Sequence, residues 1–374
     1  MVDISSSQDI SDLEDILDLP HQITLKKIED DRNKNNFINA TIYCLTNNKS
    51  FIRQSSSYLI NKKKYPIFFN LIDSIGNYLI NKDEEELTKI KDYQTKFVNF
   101  IISDDGIIKD KSNHEPRVLI DCIFNLLMKT DNYEEQKSIC NILDETIEKS
   151  NIEINSFSLN ISNLEKKDYE PNKYKLYLKK IRGCKNENCL KKADFYKAFQ
   201  TLHFKLYYNK NKVYTLKDCF EDFIKTENEE IDYECPYCNK INYKVNSDSS
   251  FYFLPNDIII LIYYEDGHSC QDFYYNFDDI IDFSEFSFIN DKFKNRKYLL
   301  SSIIACKNPK DQENELFYTL CRNDNTSKYF DYSSKLIKKD LSNIDNKIKK
   351  SKDDEFDEKR GFPYVLIYTS LKNN

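Results

Sequence analysis

The sequence predicts an α+β protein in which a helical first part precedes a mixed β part that carries one cysteine-bearing section. Between about residues 37 and 145, apolar side chains recur at helical spacing, as in Phe37-Ile38-x3-Ile42, which is the pattern of amphipathic helices. From about residue 195 onward, runs of β-branched and aromatic residues indicate strands. Helices and strands that occupy separate parts of a chain are typical of the α+β class.

Residues 1–22 are predicted to be an acidic tail. The first 20 residues contain six acids and no Lys or Arg. Because Ile10, Leu13, Ile16 and Leu17 fall at helical spacing, a docking helix is the alternative to a solvated tail. The chain has a formal charge of −7, which is about −1 once the six acids are set aside. Nucleic acid and anionic membranes both need a basic face, so we expect neither a nucleic-acid nor a membrane partner.

The predicted elements follow one another along the chain. Helical spacing continues to about residue 145, and residues 150–185 are polar and irregular. A short helix is predicted over Leu216–Ile224, and residues 342–360 are predicted to be a charge-rich loop insertion. Strands are predicted over Leu202–Tyr208, Phe251–Phe253, Ile258–Ile262, Tyr298–Ile304 and Val365–Tyr368.

Composition argues against several classes of protein. The chain has only 5 glycines and no G-x-G-x-x-G or Walker sequence, which argues against nucleotide enzymes built on glycine-rich phosphate loops. It shows no signal peptide and no apolar run of about 18 residues, so we expect no transmembrane helix and a cytoplasmic or nuclear location. In such a chain, 11 cysteines indicate free thiols or a metal site rather than disulfides.

Four of the cysteines form two close pairs, Cys184-x4-Cys189 and Cys235-Pro-Tyr-Cys238. Each pair lies in polar, turn-rich sequence beside predicted strands, as the knuckles of a zinc ribbon do. Four thiolates in two knuckles suit tetrahedral Zn²⁺, so we predict one structural zinc ion bound by all four. A chance pairing is the alternative. The other seven cysteines are isolated and are predicted to be buried small hydrophobes.

The order of these motifs resembles that of the ubiquitin-specific protease family of cysteine deubiquitinases. The stretch Leu216–Cys238 resembles the family's run into its second zinc knuckle, and Leu254-Pro-Asn-Asp resembles the strand after it, although the family's Lys-Arg-Phe ending is absent. The terminal Pro363-Tyr-Val-Leu-Ile-Tyr resembles a later strand. The resemblance covers about residues 25–371. It implies a papain-like ubiquitin-specific-protease fold with a helical thumb, zinc-ribbon β fingers and an antiparallel β palm.

The resemblance also implies a division of the chain. Behind the acidic tail, residues 23–374 would form the protease-like domain. Within it we expect the thumb at about residues 23–150, the fingers at about 151–250 and the palm at about 251–374, with the charged insertion 342–360 inside the palm.

The family's active-site positions are degenerate in this chain. The family nucleophile is a Cys that opens a helix, and Asn36 stands at that place, where a carboxamide is not a usable nucleophile. The family's oxyanion Asn corresponds to Asp31, whose carboxylate would repel a developing oxyanion. Leu316 takes the place of the catalytic His, and Asp331 takes that of the acid which orients it.

Two other thiols are candidate substitutes for the nucleophile. Cys44 lies eight residues after Asn36, at a position that belongs to the core in the family. Cys270 lies two residues after His268, but no orienting group or helix start is evident beside them. The remaining histidines are predicted to be structural or exposed: His21, His114 and His203.

The resemblance, together with the degenerate active-site positions, implies a pseudo-deubiquitinase. Such a protein would bind ubiquitin or a ubiquitin-like protein without cleaving it, or serve as a scaffold subunit of a larger protein complex, as inactive members of the family do in RNA-processing assemblies. The alternative is an active cysteine deubiquitinase with a non-standard catalytic arrangement. A zinc-ribbon nucleic-acid binder is disfavoured by the acidic balance.

Overall fold

The computed structural model describes two compact parts of the chain. The described residues are 36–46, 48, 51, 66–81, 84–102, 115–128, 157–159, 176–228, 230–286, 289, 295–307, 316–323, 328–331, 349–351 and 361–371. The first unit comprises residues 1–130 and 302–344, and the second comprises residues 131–301 and 345–374. The predicted tail, residues 1–22, lies outside the described residues.

The described residues contain helices and strands in separate stretches of the chain, as predicted. The helices are α1 (Asn36–Thr46), α2 (Pro66–Asn81), α3 (Glu84–Ile102), α4 (Pro116–Met128) and α5 (Leu216–Glu227). The strands are β1 (Phe157–Leu159), β2 (Leu176–Gly183), β3 (Lys192–Phe199), β4 (Thr201–Leu206), β5 (Val213–Thr215), β6 (Ile231–Glu234), β7 (Ile241–Val245), β8 (Asp248–Phe253), β9 (Asp257–Tyr264), β10 (Tyr274–Asn276), β11 (Ile280–Asp282), β12 (Lys297–Lys307), β13 (Leu316–Asn323), β14 (Lys328–Asp331), β15 (Lys349–Lys350) and β16 (Phe362–Ser370).

The helices of the first unit bury one face each. On α3, Ile90, Gln94, Phe97 and Ile101 are buried at spacings of four, three and four residues, which places them on one side of a helix. The ring centroid of Phe97 lies 5.5 Å from that of Phe68 on α2. The helical prediction for this part of the chain is therefore confirmed where the structure describes it.

Strands β12, β13 and β14 are neighbours in one sheet. Strand β13 pairs antiparallel with β12 on one side and with β14 on the other. Helix α1 packs against β13, where the Thr319 hydroxyl donates a hydrogen bond of 2.6 Å to the carbonyl oxygen of Ala40. Cys44 and Cys321 are buried beside this contact, and the hydroxyl of Ser302 lies 3.5 Å from the sulfur of Cys321. The boundary between the two units falls within β12.

The second unit contains strands of several sheets. One sheet has the order β1-β3-β2-β8, and a separate hairpin joins β6 to β7. A larger sheet has β12, β16, β9 and β4 as neighbours in that order, with β16 antiparallel and β4 parallel to β9. Strand β10 lies between β5 and β15. Residues Phe362–Tyr368 of β16 are all buried, which is the pattern of a strand covered on both faces.

Helix α5 begins at a capping box and carries the centre of an aromatic core. The Thr215 hydroxyl accepts the N–H of Asp218 at 3.1 Å, and the Asp218 carboxylate accepts the N–H of Thr215 at 2.9 Å. Phe220 is fully buried, with ring centroids of Phe204 at 5.0 Å and Phe283 at 5.5 Å from its own. The predicted helix over 216–224 is confirmed and continues to residue 227.

The prediction that residues 150–185 are irregular is wrong in part, because β1 and β2 lie within them. The second half of β2 carries long polar side chains that obscure its strand pattern. Those side chains find distant partners: the Lys180 ammonium lies 2.6 Å from the Glu227 carboxylate, and the Arg182 guanidinium lies 4.5 Å from the ring centroid of Phe195. A strand supported by such long-range contacts has no local signature.

The other predicted strands are confirmed with small shifts of their ends. The strand predicted over Leu202–Tyr208 ends at Leu206, because the backbone of Tyr207 bonds instead to the hydroxyl of Tyr214. Within the predicted insertion 342–360, Lys349–Lys350 pair with β10. Among the described residues, no helix combines the length and apolar character that a membrane span requires.

Candidate functional site

The structure brings the sulfur atoms of the two cysteine pairs together in the second unit. The four sulfurs of Cys184, Cys189, Cys235 and Cys238 all lie within 4.8 Å of one another. Two of these distances are 3.7 Å, from Cys184 to Cys238, and 3.9 Å, from Cys189 to Cys235. Tetrahedral zinc with Zn–S bonds of about 2.3 Å requires sulfurs about 3.8 Å apart. The spacing and the donor set therefore fit zinc.

Each cysteine pair lies on a tight backbone turn. In the first, the N–H of Cys184 donates to the carbonyl of Lys191 at 2.8 Å, and Leu190, just after Cys189, has a φ of 50°. In the second, the N–H of Cys235 donates to the carbonyl of Lys240 at 3.0 Å. Asn239, just after Cys238, has a φ of 54°. A left-handed residue after the last cysteine turns the chain back, so that both thiols of a pair point the same way.

The four cysteines pack in a small hydrophobic core. Phe195 of β3 and Tyr233 of β6 are buried beneath them, with ring centroids 5.8 Å apart and the rings nearly perpendicular. The guanidinium of Arg182 lies 4.5 Å from the centroid of Phe195, and its Nε donates to the Ser247 hydroxyl at 2.9 Å. The thiols therefore lie on a packed platform, which holds the hairpin β6–β7 against β2 and β3.

The protonation of the thiols differs within the cluster. Hydrogen bonds from the side chain of Asn186 and the N–H of Lys240 lower the pKa of Cys238 to about 6. Burial raises the pKa of Cys184 to about 11. A divalent cation held between the sulfurs would favour the thiolate at every one of them, because the metal replaces the proton. Four thiols at this spacing, two of them buried and two half-buried, thus have the chemistry of a closed structural site.

Three of the positions that the resemblance aligns with the family's active site, Asn36, Leu316 and Asp331, lie in described parts of the first unit. Asn36 is the first residue of α1, as the resemblance requires of the nucleophile position. Leu316 is the first residue of β13 and pairs with Lys307 of β12. Asp331 is the last residue of β14, and Asp31 lies outside the described residues.

The strand register separates Asp331 from Leu316, the position that the resemblance aligns with the family's His. Asp331 pairs with Leu320, not with Leu316. Four residues along a strand correspond to about 13 Å. An acid orients an imidazole through a direct hydrogen bond, so a His introduced at position 316 would lie too far along the strand for Asp331 to be its cross-strand partner.

The candidate substitute thiol at Cys44 lies in the core of the first unit. Its side chain is fully buried, and burial together with the nearby Cys321 raises the pKa of Cys44 well above its usual range. Burial also raises the pKa of Cys321 to about 12. Only a thiolate is a good nucleophile, so neither thiol has the protonation state or the exposure that peptide attack requires.

The second substitute pair has a different geometry. Cys270 is buried and opens the 3-10 turn Cys270–Asp272, which Ser269 caps. The ring of His268 is stacked on that of Tyr208, with centroids 4.0 Å apart and planes at 13°. His203 is 3.1 Å from the hydroxyl of Thr201, while His21 and His114 lie outside the described residues.

One residue that contacts the cysteine cluster is not predicted from the sequence. Asn242 is buried on β7 and contacts both knuckles through its amide. Its local signal is weak: a polar amide at an inward-facing position of a short strand, four residues after Cys238. Only the tertiary structure shows that its partners belong to two cysteine pairs far apart in the chain.

Neither a protein-family model nor a curated protein matches the sequence. Solved structures do resemble this one. The chain matches a variant of Ubp8 in the SAGA DUB module with Sgf11, Sus1 and Sgf73 at a TM-score of 0.56 and 15% identity, covering 97% of this chain and 73% of that one. It matches Ubp8 in the module bound to monoubiquitin at a TM-score of 0.54 and 14% identity, covering 91% and 68%.

A yeast SAGA DUB module with a variant Sgf73 matches at a TM-score of 0.50 and 16% identity, covering 91% of this chain and 67% of that one. At this level of sequence identity, the matches show similarity of fold and say nothing about activity or partners. The helical part, the cysteine cluster on its strands and the later β-sheet agree with that likeness. The chain therefore has the ubiquitin-specific protease fold of Ubp8.

Proposed function

We propose that this chain is a pseudo-deubiquitinase, a protein with the ubiquitin-specific protease fold that lacks both a nucleophile and a catalytic His. It would bind ubiquitin or a ubiquitin-like protein, or serve as a scaffold subunit of a larger protein complex. The observation that carries the proposal is Asn36, which opens α1 at the place of the family's nucleophilic Cys. No neighbouring base converts a carboxamide into a nucleophile.

The other active-site positions support the same conclusion. A leucine at position 316 can neither accept nor donate a proton, so it cannot generate a thiolate. Asp331 lies opposite Leu320 in the sheet, four residues from Leu316. Cys44 and Cys270 are buried, which disfavours either as a replacement nucleophile.

The binding part of the proposal is drawn from solved structures of the same fold. One of them is Ubp8 bound to monoubiquitin in a module with Sgf11, Sus1 and Sgf73. By extension, this chain would hold ubiquitin or a similar protein, or join a complex of several subunits. We further propose the division into a tail at 1–22, a thumb at about 23–150, fingers at about 151–250 and a palm at about 251–374.

We also propose that Cys184, Cys189, Cys235 and Cys238 bind one structural zinc ion. The sulfur spacing supports it, because 3.7 Å and 3.9 Å bracket the value that tetrahedral zinc requires. The ion would be structural, since four protein ligands leave no position for water or substrate.

Reaction with ubiquitin that carries a C-terminal electrophile tests the loss of catalysis. We expect no covalent adduct with the wild-type chain. An adduct that forms with the wild type and disappears in Cys44→Ala or Cys270→Ala would establish an active cysteine deubiquitinase with a non-standard nucleophile, and would overturn the proposal.

Titration with ubiquitin tests the binding role. A complex at micromolar concentrations, measured by calorimetry, is expected of a ubiquitin binder. If no complex forms at high micromolar ubiquitin, the ubiquitin-binding role is wrong and the scaffold role alone is left.

A further inference from the structure

Asn242 is a buried amide that lies between the two cysteine turns. It stands on β7 opposite Tyr233 of β6, and only 4% of its surface is exposed. A buried amide is costly unless its polar atoms are bonded. Both ends of the Asn242 side chain do have partners, and those partners are parts of the two turns.

The oxygen of this amide binds the first turn. Asn242 Oδ1 accepts the N–H of Lys185, the residue after Cys184, at 2.6 Å. The sulfur of Cys184 lies 3.5 Å from the same oxygen. The position of the Cys184 thiol is thus set by a bond to the next peptide unit.

The nitrogen of the amide binds the second turn. Asn242 Nδ2 donates to the carbonyl of Lys240 at 2.9 Å. That carbonyl also accepts the N–H of Cys235, at 3.0 Å. The side chain of Asn242 therefore ties the backbone beside Cys184 to the carbonyl that closes the turn of Cys235.

We infer that Asn242 is a positioning residue for the metal, which strengthens zinc binding by holding the two cysteine pairs at ligand spacing. The inference rests on the proposed zinc site. The pairs are far apart in sequence, with Cys189 and Cys235 separated by 46 residues, so their approach costs chain entropy. A side chain that fixes their separation before the metal arrives reduces that cost, as partners of metal ligands commonly do.

The bonds of Asn242 are compatible with deprotonation of the cysteines. When the Cys184 thiol gives up its proton, its contact with Asn242 Oδ1 loses the hydrogen. The bond from the Lys185 N–H stays, and the N–H of Asn186 still points at the Cys184 sulfur from 3.4 Å. The link between the turns therefore persists in the form that binds a metal.

The test compares Asn242→Ala with the matched control Asn188→Ala. Asn188 lies in the first turn, its side chain is exposed, and the bond from its backbone N–H to Asn186 survives the substitution. Zinc affinity is measured by competition with a chromophoric chelator, and the d–d spectrum of bound Co²⁺ reports on the geometry. We expect Asn242→Ala to bind zinc about 10- to 100-fold more weakly than the wild type, and Asn188→Ala to bind within about twofold of it.

A second measurement separates positioning from packing. Thermal unfolding is followed with and without saturating zinc, and the increase in Tm that zinc produces is compared between variants. A smaller increase in Asn242→Ala supports the inference. An unchanged increase, or an affinity equal to that of the wild type, would show that Asn242 only packs, and would overturn the inference while leaving the zinc site intact. If the wild type binds no zinc, the zinc proposal fails and the inference fails with it.

Discussion

The cysteine thiols of this chain differ in their surroundings, and the differences decide what each can do. Cys44 and Cys321 are buried in the core of the first unit, where burial raises the pKa of both. Cys235 is equally buried, with none of its surface exposed, but its sulfur lies beside three others. A thiol in the core is a small hydrophobe, whereas four adjacent thiols form a ligand set.

Substitution of one ligand is expected to abolish metal binding. We expect the wild type to contain about one zinc per chain and Cys235→Ser to contain almost none, because three sulfurs do not close a structural site. The Tm of Cys235→Ser should fall toward that of the chelated wild type. Elemental analysis of the purified protein measures the zinc. The control is Cys219→Ala, which removes a buried thiol outside the cluster, and retention of zinc by Cys235→Ser would refute the four-ligand site.

A half-buried ion triad links α5 to β2 and β3 and should make stability depend on pH. The Glu227 carboxylate lies 2.6 Å from the Lys180 ammonium and 2.8 Å from that of Lys197. Burial acts to raise the pKa of Glu227, but the two lysines outweigh burial, and the net pKa is lowered. A lowered carboxyl pKa adds stability above the unfolded pKa of about 4.3, and that stability is lost as pH falls through the folded value.

Glu227→Gln is therefore expected to lower the free energy of unfolding by about 2 kcal/mol at pH 7, because it leaves two ammonium groups without their carboxylate. The difference from the wild type should shrink as the pH falls below about 4. Urea unfolding at a series of pH values measures both effects. Glu221→Gln, at an exposed position of the same helix, should change little, and a difference that stays constant with pH would argue against the ion triad.

Helix α5 begins at an N-terminal capping box. Thr215 and Asp218 exchange reciprocal hydrogen bonds at its first turn, and the helix then buries Phe220 among several aromatic rings. The cap therefore fixes where the helix begins and which of its faces enters the core.

Removal of the cap is expected to destabilise the chain modestly. Thr215→Ala should lower the free energy of unfolding by about 1 kcal/mol, the usual cost of losing an N-cap side chain. Denaturant unfolding gives the value. Thr226→Ala, near the exposed end of the same helix, is the comparison, and an equal loss in both variants would mean that the capping bond contributes nothing of its own.

Strand pairing also bears on the positions that resemble the family's active site. In the antiparallel pair of β13 and β14, Asn323 pairs with Lys328, and the same register places Asp331 opposite Leu320. An acid that orients an imidazole must lie within hydrogen-bond reach of it. The pairing thus separates Leu316 from Asp331, the two positions that the resemblance aligns with the family's catalytic His and its orienting acid.

Catalysis requires the helix start and both strands to meet in one geometry, and this can be tested by restoring residues. We expect Asn36→Cys to react with ubiquitin that carries a C-terminal electrophile, because a thiol at a helix N-terminus has a lowered pKa. We expect Asn36→Cys combined with Leu316→His to remain without turnover of a ubiquitin–fluorophore substrate, since Asp331 lies four residues along the strand.

The wild type is the control for this experiment, because it retains Cys44 and Cys270. Labelling of the single variant would indicate that ubiquitin binds at α1, whereas absence of labelling would favour the scaffold role. Turnover by the double variant would contradict the register argument.

Much of the fold follows from patterns that are local in the sequence. Helical periodicity predicts α1 to α4, and runs of β-branched residues predict β9, β12 and β16. The cluster of four cysteines is also predictable, because the spacing within each pair is a local property. The proposed loss of a nucleophile at Asn36 rests on the position of this residue at a helix start.

Other features depend on contacts between residues tens of positions apart. Strand β2 escapes prediction because Lys180 and Arg182 are satisfied by Glu227 and Phe195. The role of Asn242 depends on two turns that approach only in the folded chain. The sequence by itself determined the types of most elements, the two cysteine pairs and the asparagine at the start of α1, because each follows from local spacing and residue chemistry. The tertiary structure decided the side-chain partners and the strand register. Local sequence allows several partners and registers, and only contacts between distant residues select one of them.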